Sequence, residues 1–200
     1  PLPPVSPDAS SWFGAAGGQP LTNCGAVGMS GQNSDGEMWF TTGANPVISV
    51  TASAAKTTTM AIAIQEFSGL DASRPVDVSA GVTNLGTLAD SGSATPNLST
   101  DVAVGFVAGH VSTQTITVTA AGYTTQSQQT SRNVTLVTGY QVLRSAAAQR
   151  FTGSFTTAMY WASGMSLFRT IEQATPSPNP SPSPVHNPTP SPRGPRHPIN

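Results

Sequence analysis

The central part of the chain alternates apolar and polar positions over short stretches, with the two-residue period of a β-strand. Turn-forming clusters rich in Gly, Asn, Asp and Ser separate these stretches. Short strands at such regular spacing are typical of an all-β antiparallel sandwich, here expected to be jelly-roll-like. The predicted strands are residues 37–42, 47–52, 58–67, 76–82, 102–110, 115–119, 134–138, 141–144, 151–156 and 159–168.

Two of these stretches are predicted to be central in the sheet. Both sides of residues 58–67 and of residues 102–110 are apolar or small, which is expected of strands that are covered on both faces. In the first stretch Glu66 shares a face with Ile62 and Ile64, so we expect its side chain to be partly buried at a strand end.

Proline divides the chain into three segments. It is frequent in residues 1–8 and again in residues 173–200, with few prolines between them. Because proline lacks an N–H and interrupts sheet ladders, only the middle can form a sheet. We therefore predict a Pro-rich N-terminal segment (1–8), a β-sandwich domain (9–172) and an extended Pro/Ser/Thr-rich linker or tail (173–200). The tail favours polyproline II.

The composition excludes several classes of function. Only 8% of the 200 residues are charged and the net charge is -1, so there is no basic patch for nucleic acid. No apolar run approaches the length of about 20 residues that a membrane-spanning helix needs. A surface rich in Ser, Thr and Gly is common in secreted β-rich modules, and we predict a secreted, extracellular or cell-surface location.

Four short strings of the sequence carry a resemblance to a known type of domain. They are Glu66-Phe67-Ser68-Gly69, Pro75-Val76-Asp77, Gly122-Tyr123-Thr124 and Trp161-Ala162-Ser163-Gly164. With the strands around them, residues 36–169 resemble a bacterial secreted β-sandwich domain of jelly-roll or lectin-like type, similar to carbohydrate-binding modules. The resemblance implies carbohydrate binding and attachment through Pro/Ser/Thr linkers. Residues 1–35 match the first strands of such domains poorly, which implies an edge open to a neighbouring chain.

The chain offers no convincing arrangement for catalysis. A nucleophile elbow of the form G-x-S-x-G is absent from the sequence. His110 ends a predicted strand, and we interpret it as a strand-end or surface residue in preference to a member of a Ser–His–Asp triad with Asp101 or Asp77. The chain is therefore predicted not to be an enzyme.

Aromatic and amide side chains are the groups that bind sugars, by stacking and by hydrogen bonding. The candidate ligand-binding residues are Trp12, Tyr123, Trp161 and Glu66. For Trp161 and Glu66 a place in the core or a structural role at a strand end is the alternative interpretation.

Oxygen-bearing side chains recur at alternate positions in the segment GQNSDGE. Asn33, Asp35 and Glu37 flank Gly36, a spacing that calcium loops use because hard cations require several oxygens from a tight turn. A structural calcium ion is thus the one cofactor predicted, and an ordinary turn is the alternative. Two sequons, at Asn97 and Asn133, are candidate glycosylation sites.

The sequence is compatible with two functions. The first is a non-catalytic extracellular binding module whose partner is a polysaccharide or a cell-surface glycan or polymer. The second is a structural subunit of an extracellular filament or surface assembly, in which copies of the chain exchange a strand or the tail.

Overall fold

The computed structural model describes residues 13–16, 19–20, 22–23, 29–31, 34–42, 50–53, 58–110 and 114–171. Within these ranges the protein is all-β, every strand pairing is antiparallel, and there is no helix. No helix long and apolar enough to span a membrane occurs in the same ranges. The predicted N-terminal segment 1–8 and tail 173–200 lie outside the described residues.

The described residues contain fourteen strands, which we number in chain order. They are β1 (Phe13–Ala16), β2 (Gln19–Pro20), β3 (Thr22–Asn23), β4 (Met29–Gly31), β5 (Ser34–Gly36), β6 (Trp39–Phe40), β7 (Val50–Ser53), β8 (Val76–Asp90), β9 (Val102–Gly109), β10 (Thr117–Val118), β11 (Thr124–Thr125), β12 (Gln129–Ser131), β13 (Val134–Val142) and β14 (Thr152–Phe168).

The largest sheet has seven strands and is organised around β14. One edge of β14 pairs with β8, and its other edge pairs with β10 and then with β9. β9 pairs in turn with β13, along which β11 and β12 lie. Every residue of β9 is buried, which confirms the prediction of a central strand at residues 102–110.

A hydrophobic core lies on each face of this sheet. Odd-numbered residues of β14, such as Trp161, Met165 and Leu167, belong to one core. Even-numbered residues, such as Ala162 and Phe168, belong to the other. Because side chains alternate across a strand, a single long strand contributes to both cores.

Phe151 fills the first core by packing against glycines of two neighbouring strands. Gly105 of β9 lies directly opposite Gly139 of β13. A Cβ atom at Gly105 would overlap the Phe151 ring, and a Cβ at Gly139 would lie 2.9 Å from it. The two glycines therefore leave the space that the fully buried ring occupies.

The second core shows that the prediction of a central strand at residues 58–67 was wrong. These residues have no regular secondary structure and join no sheet ladder. Phe67 packs edge-on against Tyr140 of β13, with ring centroids 5.4 Å apart, and Gln65 Nε2 donates to Thr138 Oγ1 at 2.9 Å. Ile62 and Ile64, 47% and 66% exposed, point away from the sheet. The segment packs as an extended chain on one face of the sheet and does not add a strand to its edge.

Pairs of predicted strands merge into longer ones. Residues 134–138 and 141–144 contribute to the single strand β13, and residues 151–156 and 159–168 to β14. β14 accommodates a bulge, because its register against β8 shifts between Ser154 and Met159. The prediction at residues 37–42 was too long, since only Trp39–Phe40 forms a strand there.

Candidate functional site

A pocket of about 420 Å³ lies where β13 ends. Its volume falls within the range of about 300–1,000 Å³ that is usual for small-molecule sites. Most of its lining is polar. The lining residues are Gly122, Thr124, Tyr140, Gln141, Val142, Leu143, Arg144, Ser145 and Gln149.

The wall of this pocket depends on a glycine in the turn before β11. Gly122 has a φ of 84°, a left-handed conformation that L-residues rarely adopt. A Cβ at this position would lie 2.7 Å from Gln141 Nε2. Gly122 therefore lets the Gln141 side chain lie against the turn. Thr124 pairs with Tyr140 across the two strands.

Two polar groups of the pocket have no partner in the described part of the chain. Gln141 Oε1 is buried and accepts no hydrogen bond. Arg144 is exposed, and no ion pair joins it to a described carboxylate. The described lining residues include no Asp or Glu. Because solvent does not reach Gln141 Oε1, Arg144 is the charged group that the pocket offers to a polar ligand.

A second polar cluster lies where β8 and β9 begin and β14 ends, and its two carboxyl groups are shielded from solvent. Arg169 Nε and Nη2 donate to Asp77 Oδ1 at 3.0 and 2.7 Å. The backbone N–H of Asn97 donates to Asp77 Oδ2 and its Nδ2 to Oδ1, both at 2.6 Å. Asp101 completes the cluster. The side chain of Asp77 and the whole of Asp101 have 0% exposure.

The two carboxyl groups have pKa values that move in opposite directions. Burial alone would raise the pKa of Asp77, but hydrogen bonds from Asn97 and Arg169 outweigh it and lower the pKa to about 2. For Asp101, burial together with the hydrogen bond to Asp77 and repulsion from it raises the pKa to about 6, and Arg169 offsets this only in part.

These values favour a shared proton between the two acids. When ionised, neither oxygen of Asp101 has a hydrogen-bond partner. A proton on Asp101 supplies a donor to Asp77, which resolves the unsatisfied pair. Because no substrate can reach groups that solvent does not reach, we interpret this cluster as a clasp that holds the strand ends together.

Two residues predicted to bind ligand contact the first core. Trp161 is 4% exposed, so it has the core position that was its alternative interpretation. Tyr123 is half-buried, packs edge-on against Phe151 and donates from its hydroxyl to Met165 Sδ at 3.1 Å. Burial raises the pKa of Tyr123 to about 12. Ligand binding by Tyr123 stays a prediction.

The other two predicted ligand-binding residues have different outcomes. Glu66 is exposed, in contrast to the partial burial that we expected, because its segment turns Phe67 and not Glu66 toward the sheet. Trp12 lies outside the described residues.

Of the predicted calcium ligands, Asp35 and Glu37 lie in or beside β5, and Asn33 lies outside the described residues. Trp39 Nε1 donates to Glu37 Oε2 at 2.8 Å. Burial raises the pKa of Glu37, the Trp39 hydrogen bond opposes this, and the charge of Asp35 adds to it. No group of three or more His, Cys, Asp or Glu side chains is found among the described residues. Calcium binding stays a prediction.

The two sequons differ in accessibility. Asn133 is exposed in the turn between β12 and β13. The Asn97 side chain is exposed too, but its Nδ2 is engaged by Asp77. Glycosylation at either asparagine stays a prediction.

Neither Arg144 nor the clasp was predicted from the sequence. Asp71 accepts hydrogen bonds from Ser73 in its own turn, whereas Asp77 binds the distant Arg169. The clasp could have been found from the positions of its residues in the sequence. Asp101 precedes one apolar strand and Arg169 follows another, and the start of one antiparallel strand can lie beside the end of its neighbour.

No protein-family model, no curated protein and no solved structure matches this chain.

Proposed function

We propose that the protein is a non-catalytic extracellular binding module that holds a saccharide in the pocket at the end of β13. The single observation that carries the proposal is the lining of this pocket, which is largely polar and contains the exposed Arg144 with no ion-pair partner among the described residues. We further propose that the antiparallel sheets belong to a sandwich of jelly-roll type.

The lining fits the chemistry of a sugar. A sugar ring carries several hydroxyl groups, each both a donor and an acceptor, around an apolar C–H surface. Thr124, Ser145 and Gln149 offer hydroxyl and amide groups for the former. Val142, which is 59% exposed, and Tyr140 offer carbon surface for the latter.

Two observations on the described residues support the proposal of a non-catalytic module. Among their acids, Asp77 and Asp101 come nearest to a catalytic pair, and neither carboxyl group is exposed to solvent. The described residues that line the pocket include no carboxylate, histidine or cysteine. Acid–base or nucleophilic catalysis of glycoside cleavage needs such groups at the substrate.

A variant that blocks the rim of the pocket with a bulky side chain tests the proposal. Ser145 is exposed and lines the pocket, whereas Ser127 is exposed and lies elsewhere. A glycan array first identifies bound saccharides, and titration calorimetry then compares Ser145→Trp with Ser127→Trp. We expect at least a tenfold loss of affinity for Ser145→Trp and none for Ser127→Trp. Equal binding by both variants, or no glycan bound by the wild type, contradicts the proposal.

A second candidate function, assembly of copies of the chain, is favoured by the edge strand β8. Its outer edge pairs with no strand among the described residues. β8 has 15 residues with no Lys or Pro, which are the residues that usually protect an edge from association. Leu85 and Leu88 on this strand are 53% and 70% exposed.

Light scattering after size-exclusion chromatography separates the two candidates. Assembly through β8 predicts particles larger than the 20.4 kDa chain, and the change Leu88→Lys should return them to monomers. Ile64→Lys, at an exposed isoleucine outside β8, serves as the control. A monomer at every concentration leaves the binding module as the function.

Three further parts of the proposal concern the setting of the domain. We propose secretion or cell-surface exposure, from the charge-poor composition. We propose that residues 173–200 link the domain to another module. A calcium ion at Asp35 and Glu37 and a glycan at Asn133 would suit such a location.

A further inference from the structure

We infer that the saccharide in this pocket is acidic and that Arg144 binds its carboxylate. The inference rests on the proposed function, because it names the ligand class of the same pocket. It begins from the net charge of the site. Among the described lining residues Arg144 is the one cation, and none is Asp or Glu.

The charges around the pocket leave Arg144 uncompensated. Arg150 follows the lining residue Gln149 in the chain, but it forms an ion pair with Asp90. Arg169 is committed to Asp77 in the clasp. No hydrogen bond or ion pair joins Arg144 to any described residue. An anionic group is therefore the ligand feature that this site favours over a neutral one.

The chemistry of arginine specifies the anion further. A guanidinium group presents five N–H donors in a planar fork that matches a carboxylate with two parallel hydrogen bonds. Arg144 is exposed at the rim, so its side chain can meet a ligand without first giving up another partner.

The remaining groups suit a sugar ring attached to that carboxylate. Thr124 and Ser145 are exposed in the lining, and their hydroxyl groups can exchange hydrogen bonds with ring hydroxyls. Val142, two residues before Arg144, gives exposed carbon surface. A uronic acid combines all three features: a carboxylate, hydroxyl donors and an apolar C–H face.

Matched pairs of oligosaccharides test the inference directly. The probes are oligogalacturonate, oligomannuronate and oligoglucuronate, each compared by titration calorimetry with its carboxyl-reduced neutral counterpart. The proteins are the wild type, Arg144→Gln, Arg144→Lys and Arg132→Gln. Arg132 is exposed and does not line the pocket, so its variant controls for the overall charge.

We expect at least one acidic oligomer to bind at least tenfold more tightly than its neutral counterpart, with an affinity that falls as salt is added. Arg144→Gln should remove this preference, Arg144→Lys should retain part of it, and Arg132→Gln should leave it intact. Folding of each variant is checked by its thermal unfolding midpoint.

The contrary outcomes are distinguishable. Equal binding of acidic and neutral oligomers overturns the inference and leaves the proposed function standing. Binding of sulfated glycans without any of the uronate probes also overturns it, because the anion is then not a carboxylate. Failure of every saccharide to bind overturns the inference and the proposed function together.

Discussion

Arg169, one residue after β14, donates two hydrogen bonds to a single carboxylate oxygen of Asp77 in β8, at 3.0 and 2.7 Å. The pair joins the end of the longest strand to the start of the edge strand beside it. Asn97 adds two further donors to the same carboxylate, so the loop before β9 is held at the same point. One buried side chain thus fastens three segments that are far apart in the chain.

Replacing Asp77 by Ala should destabilise the protein strongly. The change leaves Arg169 and both donors of Asn97 without their acceptor, and removal of one partner from a buried ion pair typically costs about 3–5 kcal/mol. Because the Arg169 side chain retains 24% exposure, we expect a loss near 3 kcal/mol at pH 7. Urea unfolding measures it.

Arg150→Ala is the control. Arg150 pairs with Asp90 in an ion pair whose two side chains are 56% and 38% exposed, and such surface pairs contribute about 0–1 kcal/mol. The change leaves the hydrogen bond from the Gly92 N–H to Asp90 Oδ1 in place. Similar losses for Asp77→Ala and Arg150→Ala would show that the clasp has no special energetic role.

Asp101 should make folding stability depend on pH between about 4 and 6. Its pKa is about 6 in the folded protein, above the ordinary value of 3.8, so the folded state binds the proton more tightly than the unfolded state. Stability from this group is complete below pH 3.8 and declines as the pH rises through 6. The separation of the two values corresponds to about 3 kcal/mol.

The isosteric variant Asp101→Asn isolates this effect. Asparagine keeps a donor toward Asp77 but does not titrate, so the difference in unfolding free energy between variant and wild type should shift in favour of the variant as the pH rises from 4 to 7. Parallel stability curves for the two proteins over this range would contradict the assignment of the proton to Asp101.

Asp77 contributes with the opposite sign. Its pKa of about 2 lies below 3.8, so its contribution is present above pH 3.8 and is lost as the pH falls toward 2. Asp77→Ala should therefore lose less stability relative to the wild type at pH 2 than at pH 5. Acid unfolding curves of the two proteins measure this difference.

Gly105→Ala should destabilise the first core by overpacking. The new methyl group would overlap the Phe151 ring, which is fully buried and cannot move into solvent. Overpacked cores typically lose about 1–3 kcal/mol. In Gly86→Ala, by contrast, the nearest atom lies 3.9 Å from the new Cβ, so we expect little change. Thermal unfolding of both variants tests the space that Phe151 occupies.

The side of the 58–67 segment that faces the sheet can be tested in the same way. Phe67→Ala removes the ring that packs against Tyr140, and we expect a loss of about 2–3 kcal/mol, below the usual 3–5 kcal/mol because the ring is only partly buried. Ile64→Ala should change stability by about 0.5 kcal/mol or less, since that side chain points to solvent. A larger loss of stability for Ile64→Ala than for Phe67→Ala would contradict this orientation and favour the one in which Ile64 and Glu66 face the sheet.

Strand positions were largely predictable, and their partners were not. Residues 102–110 are apolar on both sides, and β9 is indeed buried throughout. In residues 115–119 the predicted alternation is also observed, with Ile116 buried and its threonine neighbours exposed. Residues 58–67 show the same kind of pattern yet form no strand, because both faces of a candidate strand look alike until a neighbouring chain hydrogen-bonds to it.

For the site residues too, the sequence identified candidates but not their surroundings in the fold. Trp161 and Tyr123 are aromatic, and aromatic side chains serve cores and sugar sites equally well; only packing against Met165 and Phe151 separates the two roles. Arg144 drew no attention in the sequence because its significance comes from the pocket wall that β13, the Gly122 turn and Gln149 form together.

By itself, the sequence determined that this chain forms antiparallel strands and which stretches are apolar on both sides, because the alternation of side chains about a strand is a local property. Only the tertiary structure decided which strands pair, which side of residues 58–67 faces the sheet, and that Asp77 meets Arg169 and Asp101. These outcomes depend on contacts between residues up to 92 positions apart. Such contacts join distant segments, and the local sequence pattern of one segment does not specify which other segment it will meet.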